Sequence, residues 1–268
     1  MAPAELGKIL NIGRLPAHLR AVEAELERLE LPPAMRPALK RSMAGGKRLR
    51  PILCLAAAAS AGRISQKAIS AAAAVELLHL ASLVHDDITD KSAERRGQST
   101  IFQHEGLELA ILAGDWLLAQ SQFLVAALGP QLALILADTF AQMAAGQAAQ
   151  LSLKPPFNLA SRQYITIIRQ KTASLMSATC QLGALSAGLD DRLVKALGDY
   201  GEYFGVAFQI IDDINDEDIE EANQPAAVQL AKRYSQRAGS ALGALPAGPT
   251  VDGLAKLSTH YLNWALSR

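Results

Sequence analysis

Residues 84–90 read VHDDITD and residues 211–216 read IDDIND. Each stretch sets three aspartates at one spacing, Asp86, Asp87 and Asp90 and then Asp212, Asp213 and Asp216, directly after a strongly apolar run. On a helix, positions i and i+4 are neighbours, so Asp86 and Asp90 share a face with Asp87 beside it, and the second cluster repeats this comb. Three like charges within one turn repel, and at a helix C-terminus they also oppose the macrodipole, so a compensating cation is expected. Mg²⁺ suits the pattern: it prefers oxygen ligands, keeps much of its water and is commonly held by carboxylates together with substrate phosphates. One such cluster reads equally well as a solvated helix end; two at identical spacing after apolar runs favour a site.

If phosphate is the ligand, cations should accompany the acids, and three basic groups do. GGKRLRP supplies Lys47, Arg48 and Arg50 after a glycine pair that lets backbone approach a ligand. ERRG supplies Arg95 and Arg96 shortly after Asp90, and RQKTAS supplies Lys171 and Thr172 inside an otherwise apolar segment. Each group alone reads as an ordinary surface loop or local charge neutralisation. His79 lies two turns before Asp86 on the same helix face, where a buried core histidine competes with a phosphate donor as its reading. Gln209, three residues before Asp212, is placed similarly, with an interhelical hydrogen bond as the plainer alternative.

The elements that must position these groups read as helices throughout. Half of the 268 residues are hydrophobic, aromatics make up 5%, and turn signals are far apart, which points to one all-α domain spanning residues 1–268. Pro16 and Pro32-Pro33 bracket an amphipathic helix carrying Leu19, Val22, Leu26 and Leu29 on one stripe. A helix over 34–43 ends at Gly45-Gly46, and another opens near Pro51. Ser65 is placed to cap a long central helix that ends in the first comb, and SAERRGQST follows as a loop. Further helices are expected over 105–128, 130–150, 161–188 and 190–217, with two more in the last 50 residues.

Lys+Arg and Asp+Glu balance at 26 each, so no basic field recommends the chain to nucleic acid or an anionic membrane. The greasiest windows contain Glu76 and His79, and Glu108 and Asp115, which is costly against lipid and reads as core helices with at most peripheral membrane contact. Cys54 and Cys180 have no CxxC partner and fit small buried residues in a reducing compartment. The N-terminal residues show no signal-peptide pattern, and a cytoplasmic location is expected.

Taken together, GGKRLRP, ELLHLASLVHDDITDKSAERRG, AILAGDWLLA, GQAAQL, RQKTASL and GVAFQIIDDIND resemble the trans-prenyl diphosphate synthases (polyprenyl synthetases), in that family's order over roughly residues 40–218. The resemblance implies an isoprenoid-synthase bundle of about ten helices around a deep cavity, forming a homodimer, with the combs facing each other across the mouth. It implies that Asp86, Asp87, Asp90, Asp212, Asp213 and Asp216 hold about three Mg²⁺ ions on an allylic diphosphate, which Arg95, Lys171, Thr172 and Gln209 contact. Lys47, Arg50, His79 and Arg96 would bind the diphosphate of isopentenyl diphosphate, with Phe208 near that substrate. Asp86, Asp87, Lys171, Gln209 and Asp212 are then the residues expected to carry catalysis.

By helical spacing, a growing product tail should pass Ser82, Ala81, Leu78 and Val75. Large aromatics near the first two positions form a floor in short-chain members; small Ala81 and Ser82 resemble the long-chain ones and imply about six or more isoprene units. The sequence departs from the family layout after Asp216: several tens of residues, including a lysine expected on the allylic diphosphate, are missing near 218–222. A flexible segment of the protein left out of this sequence, with a join near 218–222, and a true deletion both account for this. The deletion raises a second reading, a non-catalytic or partner-dependent subunit of a heterodimeric synthase. A class I terpene cyclase is a third, disfavoured by DDIND and GGKRLRP.

Overall fold

The computed structural model describes residues 3–153, 155–159 and 161–267, and among these it holds thirteen α-helices and one two-stranded ribbon. The N-terminal run is itself helical, α1 (Pro3–Ile9), and packs on α2 (Leu15–Glu27), which buries Leu15, Leu19, Val22 and Leu26. Next come α3 (Arg36–Met43) and α4 (Leu49–Ala59), joined by the glycine-containing loop.

The central element is α5 (Gln66–Thr89). It starts where Ser65 accepts a hydrogen bond from the backbone N–H of Ala68 at 3.3 Å, satisfying one of the helix's orphan donors. Its first two-thirds is apolar nearly all round because it is enclosed by α2, α4, α7 and α10. Leu77 and Leu78 are fully buried there, so truncating either to alanine should cost about 2–5 kcal/mol.

The segment expected to be a loop after the first comb contains a ribbon, β1 (Glu94–Arg95) paired antiparallel with β2 (Gln98–Ser99), closed around Arg96 and Gly97, both with positive φ. Then follow α6 (Ile101–Glu105), α7 (Leu107–Leu128) and α8 (Pro130–Gln150). The helix expected over 161–188 is interrupted: α9 (Arg162–Ile168) leads into a π-helical turn, Arg169–Ala173, and then α10 (Ser174–Ser186). α11 (Asp191–Asn215), α12 (Gln224–Ala241) and α13 (Pro249–Leu266) complete the bundle. From the second comb to α12 the chain passes through one short turn, anchored by buried Ile219.

One hydrophobic cluster runs from Leu6 to Ala265. By length and composition α5, α7 and α8 could each cross a membrane, but their apolar windows are buried inside the bundle to very different extents, 72%, 33% and 28%. The expectation that α7 is a core helix is therefore corrected: one side of it packs on α5, while Leu107, Ile111, Leu112 and Phe123 stay exposed.

Candidate active site

A cavity of about 1010 Å³ opens between the C-terminal ends of α5 and α11. Both combs reach it, and the two helix ends are built alike. In α5, Lys91 takes a left-handed conformation (φ 52°) and the N–H of Ser92 donates to the carbonyl of Asp87 at 2.9 Å. In α11, Glu217 does the same (φ 60°) and the N–H of Asp218 donates to the carbonyl of Asp213 at 2.9 Å. These are Schellman closures, which satisfy the last carbonyls and fix the direction of the preceding turn.

Each comb consequently presents two carboxylates to the cavity rather than three. Asp86, Asp90, Asp212 and Asp216 line it. Asp87 and Asp213 are rotated about 100° from their predecessors by helix geometry and lie inside the protein, each 5% exposed. Asp87 accepts from Arg95 Nε at 2.7 Å. Asp213 accepts from the Tyr164 hydroxyl at 2.6 Å and from Gln209 Nε2 at 2.8 Å. Of the six aspartates expected to hold metal, four face the cavity, while Asp87 and Asp213 accept hydrogen bonds from protein donors.

Burial pushes the carboxyl of Asp212 up to about 7, with Asp216 and Asp213 adding to the rise and Lys47 and Arg50 opposing it. Burial also raises Asp86, where Lys171 is the main opposing charge. Lys171 and Thr172 sit in the π-helical turn, whose extra residue per turn re-aims them out of the α-helical register. α8 approaches this turn so closely that a Cβ on Gly146 would come within 2.6 Å of the Lys171 backbone nitrogen. Thr172 donates to Gln209 Oε1 at 2.7 Å, and Lys171, Thr172, Gln209 and Phe208 all line the cavity.

The second cationic group comes from the loop after α3. Gly46 (φ 89°) lies against the Arg96 guanidinium, so close that a Cβ would fall 2.7 Å from its Nη1; glycine lets loop and ribbon dock. Arg50 Nη1 is 2.9 Å from His79 Nε2. Since arginine only donates, Nε2 accepts and the imidazole is neutral; burial foremost, then Arg50, holds the ring well below its usual range. Burial draws Arg50 down to about 10, and its Nε is buried without a hydrogen-bond partner among the described residues. Lys47 lies 5.0 Å above the Trp264 ring. Arg48, by contrast, is consumed structurally: it pairs with Glu23 at 2.6 Å and with Glu76 at 2.7 Å.

Of the four positions expected to border a product shaft, only Ser82 lines the cavity; Ala81, Leu78 and Val75 are wholly enclosed by neighbouring side chains. The stripe of α5 that faces the cavity is Glu76, His79, Ser82, Leu83 and Asp86, and the apolar wall opposite comes from Phe140, Met143 and Ala144 of α8. Sequence reasoning missed Glu76, Tyr261, Trp264 and Tyr164. Glu76 stands three residues before His79 and Tyr261 three before Trp264, spacings that could have placed each pair on one face; the π turn hides the relation of Tyr164 to Lys171.

Among the described residues no three His, Cys, Asp or Glu side chains form a ready-made metal cage. Two oxygen donors from each comb instead suit a hard cation that completes its shell with water and ligand oxygens. Fold and site together define an all-α protein with paired carboxylates and cations around one partly apolar cavity. The sequence model of the polyprenyl synthetase family matches residues 32–226, and the chain belongs to that family.

Heptaprenyl diphosphate synthase component 2 of Geobacillus stearothermophilus is 43% identical over 202 residues, covering 74% of this chain and 63% of that protein. The chain thus spans a little under two thirds of that relative's length. A decaprenyl diphosphate synthase from Rhodobacter capsulatus superposes with a TM-score of 0.85 at 29% identity, covering 97% of this chain and 98% of the other. A polyprenyl synthase from Caulobacter crescentus, solved with calcium and isoprenyl diphosphate, gives 0.84 at 29% identity over 98% of both chains.

Proposed function

We propose that this chain is a Mg²⁺-dependent polyprenyl diphosphate synthase that condenses isopentenyl diphosphate with an allylic prenyl diphosphate. The observation that carries the reading is the meeting of four carboxylates with Lys47, Arg50, Arg95, Arg96 and Lys171 around a single cavity whose deeper wall is apolar. The similar Caulobacter structure, solved with calcium and isoprenyl diphosphate, adds support.

Bound Mg²⁺, held by Asp86, Asp90, Asp212 and Asp216, would neutralise the departing diphosphate. Lys171, Thr172, Gln209 and Arg95 orient the allylic diphosphate so that its C–O bond breaks with charge developing toward them. Lys47, Arg50, His79 and Arg96 hold the second diphosphate and place the C=C bond of isopentenyl diphosphate against the allylic carbon. The alkene electrons form the new C–C bond, and the proton then lost passes to the released diphosphate, so no side-chain base is required. Phe208, stacked on Tyr261 at 5.1 Å, helps exclude water from the cation.

The small Ser82 on the cavity wall and the long-chain synthases among the relatives support a product of about six or more isoprene units. We further propose a homodimer whose contact is the uncovered α7/α8 face, where Phe123 is 74% and Leu134 71% exposed. The buried thiols of Cys54 and Cys180 suit a cytoplasmic setting. The partner-dependent reading is favoured by one observation, the "component 2" designation of the Geobacillus relative. Incorporation of radiolabelled isopentenyl diphosphate with allylic primers of several lengths, with and without Mg²⁺, decides. Incorporation by the pure protein supports the synthase; none, rescued by a second polypeptide, supports the subunit. A pure fifteen-carbon product would contradict the long-chain assignment.

A further inference from the structure

We infer that Tyr164 is a positioning residue, holding Asp213 as an internal acceptor that in turn fixes the Gln209 amide and, through it, Thr172 on the cavity wall. The inference rests on the proposed synthase reading for its catalytic meaning, while its geometry stands independently.

The connection is continuous. The Tyr164 hydroxyl donates to Asp213 Oδ2 at 2.6 Å, Gln209 Nε2 donates to Asp213 Oδ1 at 2.8 Å, and the Thr172 hydroxyl donates to Gln209 Oε1 at 2.7 Å. Among the described residues, each carboxylate oxygen accepts from one neutral donor. Because a carboxylate accepts only, Gln209 must turn its NH₂ toward Asp213 and its carbonyl toward Thr172, so the acid sets the amide's orientation. Gln209 keeps one N–H, and Thr172 keeps its lone pairs, for whatever occupies the cavity that both of them line.

Tyr164 is itself rigidly held. It is 1% exposed, its ring lies 5.5 Å from Phe157, and the Phe157 N–H donates to the carbonyl of Asp218 at 2.8 Å. The N–H of Asp218 closes the circuit by donating to the carbonyl of Asp213. Tyr164 thereby ties α9, the segment before it and the end of α11 to one carboxylate.

The test is binding of methylene diphosphonate with Mg²⁺ to the full chain, by calorimetry, for wild type, Tyr164→Phe, Gln209→Ala and the double variant. Removing the hydroxyl should weaken binding about tenfold, the scale of one hydrogen bond to a charged group. The concentration of Mg²⁺ for half-saturation should stay unchanged, and Tyr164→Phe should add nothing in the Gln209→Ala background. Should Tyr164→Phe fail to fold, Asp213→Ala removes the acceptor that the hydroxyl and the amide share and takes its place. Full additivity, unweakened binding, a moved Mg²⁺ requirement or failure of wild type to bind the diphosphonate would each overturn the inference. Coupling without any prenyl product in the incorporation assay would sink the proposed function and leave the relay standing; product formation with additive losses would do the reverse.

Discussion

The ends of α5 and α11 share spacing, left-handed closure and order of burial, with the first aspartate half-buried, the second inside and the third exposed. They differ in what meets the acids. At the end of α5 the inner acid, Asp87, is paired with a full charge from Arg95, and Asp86 faces Lys171. At the end of α11 the inner acid, Asp213, accepts from a phenol and an amide among the described residues, and Asp212 is pushed up to about 7 by burial and its neighbouring acids against the opposing Lys47 and Arg50. Burial pushes the first two acids of each comb above the ordinary carboxyl range, those of the second comb to about 7 and about 6, so the second leans more heavily on an arriving cation. Identical backbone geometry fixes which acid faces the cavity; the surrounding elements decide how much charge it can carry there.

The largest effects should separate outer from inner acids. Replacing Asp86 or Asp212 by asparagine should lower isopentenyl incorporation by about 10³-fold, the scale of losing one transition-state charge contact. It should also raise the Mg²⁺ needed for half-maximal rate. Asp87→Asn should cost about tenfold, leaving the Mg²⁺ requirement in place while destabilising the fold, because Arg95 loses its partner. Equal losses at Asp86 and Asp87 in steady-state assays would erase the distinction drawn between them.

A middle-sized effect distinguishes the combs by pH. The carboxyls of Asp212 and Asp213 lie at about 7 and about 6, above the ordinary value of 3.8, so folding favours their protonated forms. Their contribution is fully present below about pH 4 and is lost as pH rises through 6 to 7. Without metal, the melting temperature should therefore fall by several degrees between pH 5 and 8. Mg²⁺ with diphosphate should flatten that slope, because the cation replaces the protons. Asp212→Asn should remove more of the slope than Asp86→Asn; scanning calorimetry across pH measures both.

The smallest expected effect concerns product length. Ser82→Phe places an aromatic on the cavity wall and should shorten the product, whereas Ala81→Phe should lower the melting temperature, since Ala81 is packed on all sides away from the cavity. Chromatography of extracted products tests the first and a thermal melt the second.

Much of this was legible from the chain. Ser65 as a cap, the glycine pair before Lys47 and the repeated aspartate spacing each act through local geometry, and local geometry can be read from spacing. The inner acids were not separable, because helical periodicity places Asp87 beside Asp86 without saying that Arg95 folds back from a ribbon to meet it. The shaft assignment failed at Ala81, Leu78 and Val75 for a related reason. Periodicity gives positions relative to Asp86, while the enclosing helices decide which stripe of α5 meets the cavity. The π turn broke the periodicity itself, so Tyr164 could not be related to Lys171 by counting.

The most direct test of the central claim is anomalous diffraction from crystals grown with Mn²⁺ and methylene diphosphonate. The account predicts ions bound through Asp86, Asp90, Asp212 and Asp216, with Asp87 still on Arg95 and Asp213 still on Tyr164. An ion coordinated by Asp87 or Asp213, or ions with no contact to either comb, would contradict it.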